Sequence, residues 1–444
     1  ISYSINEKTL LKFEKDTLLV KDVAWHRERE SDYSFGLEYS INSNFSTGIS
    51  FERGGVTSLK FVYKNNPKKS IKRYEYKKAE VNPDDNKYNK LIKNLEENGI
   101  GVNKISETTN AIGLELTQFI HPDLRIVEEI IAQASKDAGI SKNIKKDLKI
   151  ADLTAVSEID DAFERSASTI YNRGTSRRVN TSNNIRFRPF IASREEFFKG
   201  ALLAENDTEF VIRQNLFFST NLKYSLADNL DDLVFPPENT FPAQVRSDVK
   251  QYLKNIDEGI LIGRAQLDYH ITPKINHHLM FTGGILEDMF SGVGAEYLYF
   301  KPDTNYSFGI ELFKVQKRDY HWGFDHLDYT NTTLTGNFYY RNYGRIPFDM
   351  KLSAGEYLAG DIGSTIELSR TFDTGVRFGI FATFTDVTNE EFGEGSFDKG
   401  IFFNVPIYGN AINYMWRPLT KDPGARLVRK NTLYDLLVKF RPIN

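Results

Sequence analysis

Hydrophobic and polar positions alternate along most of this chain with the two-residue period of β-strands. Tyr306, Phe308, Ile310 and Leu312 share one face, with Ser307, Gly309 and Glu311 on the other. Val293, Ala295, Tyr297 and Tyr299 likewise oppose Gly294, Glu296 and Leu298. Ala265, Leu267, Tyr269 and Ile271 oppose Arg264, Gln266, Asp268 and His270, and Leu216 to Leu226 behaves alike. Around FATFTDV, Val376, Phe378, Ile380, Ala382 and Phe384 form a face, with Phe381 the exception on the opposite one. The runs reach about 9–12 residues, the length of a tilted membrane strand rather than the usual ~5–6. Charges keep to one parity, which is rich in Gly, Ser and Thr, as a wet lumen requires and a dry core does not. The pattern predicts a mainly β protein built on a transmembrane antiparallel β-barrel. A soluble β-sandwich, which also alternates, is the rival.

The period turns helical in the middle of the chain. In KYNKLIKNLEENGI, Tyr88, Leu91, Ile92 and Leu95 make one stripe, and Gly99 suits a helix C-terminus. LRIVEEIIAQASKDAGI repeats this through Ile126, Val127, Ile130, Ile131 and Ala134, with Pro122 and Asp123 as start signals. With the short β-branched runs AIGLELTQF and KIADLTAV, these stretches predict a soluble α/β domain over residues 73–170. Its expected order is strand-helix-strand-strand-helix-strand, and exposed helices of this kind place it outside lipid. Residues 171–444 hold about 12 or more strands, whereas residues 1–72 hold about four, too few to close a barrel, which needs ~8. The front strands either join the later wall or end a first, truncated barrel.

Composition agrees with a membrane wall. The 444 residues include 33 Phe and 23 Tyr, and a barrel girdles both bilayer edges with such rings. A mean hydropathy of −0.44, with no apolar run of ~18 residues, excludes a membrane helix. Lys plus Arg (57) nearly balances Asp plus Glu (60), so no nucleic-acid footprint is expected. The absence of cysteine excludes a disulfide framework and a thiolate metal site. The chain begins ISYSINEKTL, with no Met, basic n-region or apolar h-region, and reads as a mature or truncated chain.

Several blocks resemble the YjbH/GfcD family of bacterial outer-membrane proteins of exopolysaccharide and group 4 capsule production. They are LEDMFSGVGAEYLYF (286–300), VQKRDYHWGF (315–324), the long stretch from Ser353 to Val387, and NEEFGEGSFDKGIFFNVPI (389–407). FPAQVRSDVKQYL (241–253) and RPLTKDPGARL (417–427) are similar to that family too, and SFGLEYSINSNFSTGISFERG resembles the close of its first β-rich half. The resemblance implies two barrels in one polypeptide with an α/β domain between them, and a Gram-negative outer-membrane location. It implies surface polysaccharide, outer-membrane lipid and other secretion proteins of the same pathway as partners. Most of the family's first half is lacking here, including the lipoprotein cysteine of some members.

Candidate chemistry is sparse. Asp386, Glu390, Glu391, Glu394 and Asp398 form an acidic burst that reads either as a calcium site or as a solvated hairpin rim, and the spacing does not fit an EF-hand loop. His270, His277 and His278 lie near one hairpin, and His321 and His326 near another, without HExxH or ligand-spaced carboxylates. No GxSxG elbow, P-loop or paired-glycine loop is present, so neither enzyme activity nor a cofactor is expected. The inward parity should place Arg264, Gln266, Asp268, Glu296, Glu311, Asp349, Lys351, Glu367 and Arg377 in a lumen. Mixed signs suit a hydroxylated polymer better than a selective ion pore. Equally, a narrow lumen could cross-pair its charges and stay shut. The segment 227–259, with Pro236, Pro237 and Pro242, is expected to be a shaped loop anchored by Arg246 and Asp248. IYNRGTSRRVN (170–180) is basic beside a strand and could meet lipid headgroups or serve as a linker. The expected function is non-catalytic participation in polysaccharide export or assembly, with a porin, an outer-membrane hydrolase and a purely structural scaffold as rivals.

Overall fold

The computed structural model describes residues 1–15, 30–64, 75–82, 84–118, 124–174, 178–190, 199–231, 233, 243–372, 375–392, 397–408, 412–418 and 422–438. Pro122, Asp123, Pro236, Pro237, Pro242 and Glu394 lie outside them. Two compact units make up the chain.

The first unit is a five-stranded antiparallel meander of β1 (Ser2–Asn6), β2 (Thr9–Lys15), β3 (Tyr33–Ser40), β4 (Phe45–Glu52) and β5 (Val56–Tyr63), one strand more than expected. One face exposes Leu11, Phe35, Leu37, Ile49 and Phe51. The other carries Glu38 between Lys12 and Lys60, at 2.7 and 2.6 Å.

The second unit opens with α1 (Lys87–Glu97), capped by Asn86, whose side chain accepts from Asn89 N at 2.8 Å. There follow β6 (Ile100–Glu107), β7 (Ala111–Gln118), α2 (Leu124–Asp137), β8 (Asn143–Ile150), β9 (Leu153–Ser157), α3 (Asp161–Ser166) and β10 (Ser168–Asn172). The order differs from the expected one. Among the described residues from 75 onward no strand precedes α1, and KIADLTAV divides into β8 and β9 at a tight turn where Ala151 and Asp152 both have positive φ, 46° and 61°. The sheet order is β10-β6-β7-β8-β9, with β7 and β8 parallel because α2 crosses over between them. The helical stripes read from the sequence close its core: Leu91, Leu95, Val127 and Ala134 are fully buried.

The rest is a 13-stranded antiparallel sheet in strict chain order. Its strands are β11 (Arg178–Phe190), β12 (Lys199–Arg213), β13 (Leu216–Asp228), β14 (Ile260–Lys274), β15 (His277–Ile285), β16 (Phe290–Phe300), β17 (Tyr306–Arg318), β18 (His326–Asn342), β19 (Phe348–Glu356), β20 (Ile362–Thr371), β21 (Arg377–Thr385), β22 (Asp398–Tyr408) and β23 (Ile412–Trp416). Short helices α4 (Val249–Lys254), α5 (Asn389–Phe392) and α6 (Leu433–Leu437) lie in the connections and after β23. Among the described residues no ladder joins β11 to β23, and no helix is long and apolar enough to cross a membrane, which says nothing of crossing by strands.

Alternation inverts the usual soluble arrangement. In β17, Phe308, Ile310 and Leu312 are 44, 52 and 48% exposed, while Ser307 is fully buried. Phe378, Ile380 and Phe384 in β21 face outward in the same way, and Gln266 and Glu296 are buried. Phe381 turns inward and lies beneath the Arg417 guanidinium, 5.0 Å from its ring centre, which explains its break in the pattern.

The α/β sheet docks against one end of the large sheet through the β8–β9 turn. Asn215 N donates to Asp152 Oδ2 at 2.8 Å, Thr154 N donates to Thr272 Oγ1 at 3.1 Å, and His270 Nδ1 lies 3.2 Å from Ala151 O. At this end β12–β13 and β14–β15 join through two-residue turns, with Asn215 and Asn276 at φ 65° and 68°. The opposite end carries the long connections between β13 and β14 and between β21 and β22.

Candidate functional site

The buried face of the large sheet collects most of the ionisable side chains singled out above, and its occupant is the chain's own C-terminal segment, residues 422–438. Arg429 pairs with Glu296 and with Glu311 (3.2 Å). Lys430 reaches Glu209 at 2.5 Å, Arg426 pairs with Glu367, and Arg417 reaches the same Glu367 at 2.7 Å. Arg429 and Lys430 are chain neighbours, yet Glu296 and Glu209 sit on β16 and β12, four strands apart. On a flat sheet that would be about 19 Å at ~4.8 Å per strand. The sheet therefore curls around the segment, which touches partners from β12 to β20.

Two turns seat the segment at the end with long connections. Asp422 Oδ1 accepts from the backbone N–H groups of Val245, Arg246 and Ser247 at 2.9, 2.8 and 2.9 Å. Gly424, at φ 74°, donates its N–H to Asp361 Oδ2 at 2.7 Å. Burial lifts the Asp361 carboxyl to about 6, with Asp386 and Asp422 adding to the rise. At the other end Thr432 caps α6, and Leu433 and Leu437 enter the core shared with the α/β sheet. Tyr434 stacks on Tyr339 at 3.8 Å.

Arg246 and Asp248 hold the connection between β13 and β14 against the inner face. Arg246 donates to Glu287 Oε2 at 3.0 Å and to Arg426 O at 2.8 Å. Asp248 pairs with Lys317 and accepts from the Tyr320 hydroxyl at 3.0 Å. Burial raises the Glu287 carboxyl against the pull of Arg246. Beside it, burial of Asp288 is outweighed by Lys223 and Arg188, which hold that carboxyl at about 2.

The remaining candidates divide into two groups. Arg264 pairs with Asp207 at 2.8 Å, and the buried Gln266 donates to both oxygens of Asp268 at 2.8 Å. Glu311, Asp349, Lys351, Glu367, Arg377 and Asp398 instead line a cavity of about 540 Å³ bounded on one side by the C-terminal segment. There Arg341 bonds Asp349 at 2.5 Å, and Arg377 donates to Ser369 Oγ at 3.2 and 3.1 Å. The acidic burst does not converge. Asp386 Oδ1 accepts from Ile362 N at 2.9 Å, Glu391 and Thr388 cap each other at the start of α5, and Glu390 is exposed. The histidines are dispersed as well: His277 meets the Tyr297 hydroxyl at 2.8 Å, His278 meets Thr272 at 3.0 Å, and His321 meets Glu258 at 2.7 Å.

Arg417, Arg426, Arg429 and Lys430 were missed as site residues in the sequence. The available signal was complementarity between a basic, aperiodic C-terminal stretch and inward-parity carboxylates. The YjbH family model, described as exopolysaccharide biosynthesis protein YbjH, matches residues 123–439. The chain belongs to the YjbH exopolysaccharide biosynthesis family. The YjbH match runs from the start of α2 past α6, so it includes the entire 13-stranded sheet and the basic segment inside it. The protein named "Uncharacterized lipoprotein YjbH" of Escherichia coli (strain K12) is 33% identical over 258 residues, 55% of this chain and 36% of that relative. This chain thus spans little more than a third of that relative's length.

Proposed function

We propose that this protein is a non-catalytic outer-membrane β-barrel of a Gram-negative bacterium that takes part in exopolysaccharide or capsule export or assembly. In this reading β11–β23 form the wall, and the α/β domain recruits a partner of the same secretion pathway in the periplasm. The carrying observation is the inverted sheet, with apolar side chains outward over a buried, charged inner face. Aromatic contacts near the short-turn end support a bilayer boundary there: Phe210–Phe218, Tyr299–Phe308 and Tyr340–Phe348. Short turns mark the periplasmic end of such barrels, which supports a periplasmic α/β domain. The filled interior favours a docking wall over a steadily open porin. The five strands of the first unit, with their exposed apolar face, fit part of a second wall.

Fractionation tests the proposal. The chain should sediment with outer membrane, resist carbonate extraction and migrate faster in gels before heating than after it. Protease should reach the α/β domain only after the outer membrane is permeabilised. Recovery of folded protein in buffer without detergent would remove the reading.

A further inference from the structure

Seven of the wall's carboxylates divide into two classes by the origin of their counter-charge. Glu205 and Asp349 are answered from the wall itself, by Arg186 (2.9 Å) and Arg341 (2.5 Å), and Asp207 is answered by Arg264 (2.8 Å). Glu209, Glu296, Glu311 and Glu367 take theirs from beyond the last strand, through Lys430, Arg429, Arg426 and Arg417. These four acids sit on β12, β16, β17 and β20, with Glu296 and Glu311 directly paired across neighbouring strands, and all four meet bases that follow β23. Lys351, Arg377 and the acid Asp398 also face this space, and among the described residues neither base pairs with a carboxylate within 4 Å.

We propose that the C-terminal segment is a displaceable plug over a latent cation-selective passage, so that withdrawal of Arg417 and residues 422–438 uncovers an acidic lane and gives the protein an ion-conducting activity. The inference rests on the membrane-wall reading. Removing the segment takes away the four bases paired with the wall and leaves Glu209, Glu296, Glu311 and Glu367, with Asp398, against only Lys351 and Arg377. One sign of charge then dominates a narrow, low-dielectric space, and such spaces concentrate the opposite ion about tenfold or more. The cavity of about 540 Å³ already opens beside the segment, so withdrawal of the segment enlarges a space that exists.

Planar-bilayer recording of the purified full chain under a KCl gradient tests this. The unaltered protein should insert with little conductance. Arg426→Gln with Arg429→Gln, which loosens the plug and spares the wall, should conduct, with a cation-over-anion permeability ratio of about ten. Glu296→Gln, Glu311→Gln and Glu367→Gln together should also free the segment, but the passage should lose most of that selectivity. Insertion of all three proteins with the variants silent, or an arginine variant selective for anions, overturns the inference and leaves the wall reading intact. Failure of the full chain to insert at all removes the wall reading, and the inference with it.

Discussion

Replacing Arg429 by Ala should release the C-terminal segment. The guanidinium is 2% exposed, pairs with two carboxylates, donates to Asn431 O at 2.7 Å and lies 5.0 Å from the Phe313 ring centre. Glu296, itself 2% exposed, also accepts from Leu433 N at 3.0 and 3.2 Å, so the same carboxylate fixes the start of α6. Deleting one member of a buried pair strands the other charge, at a cost of about 3–5 kcal/mol. At ~1.4 kcal/mol per decade, the opening equilibrium of residues 422–438 should rise by ~10²–10⁴. Amide hydrogen exchange in nanodiscs reads this directly at Leu433 to Leu437, with β16 and β17 as internal references. Adding Glu296→Gln and Glu311→Gln to Arg429→Met should restore most of the protection, because no uncompensated charge then remains. A change below about threefold on Arg429→Ala would refute the view that this ion cluster holds the segment.

Three further outcomes are expected. Ile310→Arg should cost about 2–4 kcal/mol in urea titrations performed in phospholipid vesicles, whereas an exposed position in water would tolerate it within ~0.5 kcal/mol. Asp152→Ala leaves Asn215 N without its acceptor and should weaken docking of the β8–β9 turn by about 1–2 kcal/mol, seen as faster proteolytic release of the α/β domain. Asp361 has a folded value near 6 against the ordinary 3.8, so it binds its proton more tightly when folded. Its stabilising contribution, about 3 kcal/mol, is therefore present below pH ~4 and lost as pH rises through about 6. Protection of Gly424 should fall across that window, and Asp361→Asn should make it flat.

How much was legible in the sequence depended on the range of the interaction. Strand parity could be read because every second residue between Tyr306 and Leu312 answers to the same environment, and that information is local. The stripes of α1 and α2 were legible for the same reason. Phe381 looked anomalous because its partner, Arg417, lies beyond β23 in an irregular stretch. The occupant of the wall was invisible: Arg429 and Glu296 are far apart in the chain, and no periodicity links a coil to a sheet. The α/β order was misread at KIADLTAV, where Ala151 and Asp152 lack the glycine that normally announces a turn with positive φ. Arg246 and Asp248 lie where the Pro-rich loop directed attention, although their partners Glu287 and Lys317 could not be read locally.

The position of the basic segment after the last strand has a consequence for biogenesis. Every strand from β11 to β23 precedes Arg426, Arg429 and Lys430 in the chain, so Glu296, Glu311 and Glu367 receive their counter-charges from residues that follow the whole wall. Neutralisation depends on the final stretch. A chain stalled or clipped before residue 426 would bear an acidic, hydrated interior that a quality-control protease could tell from the finished product by charge alone.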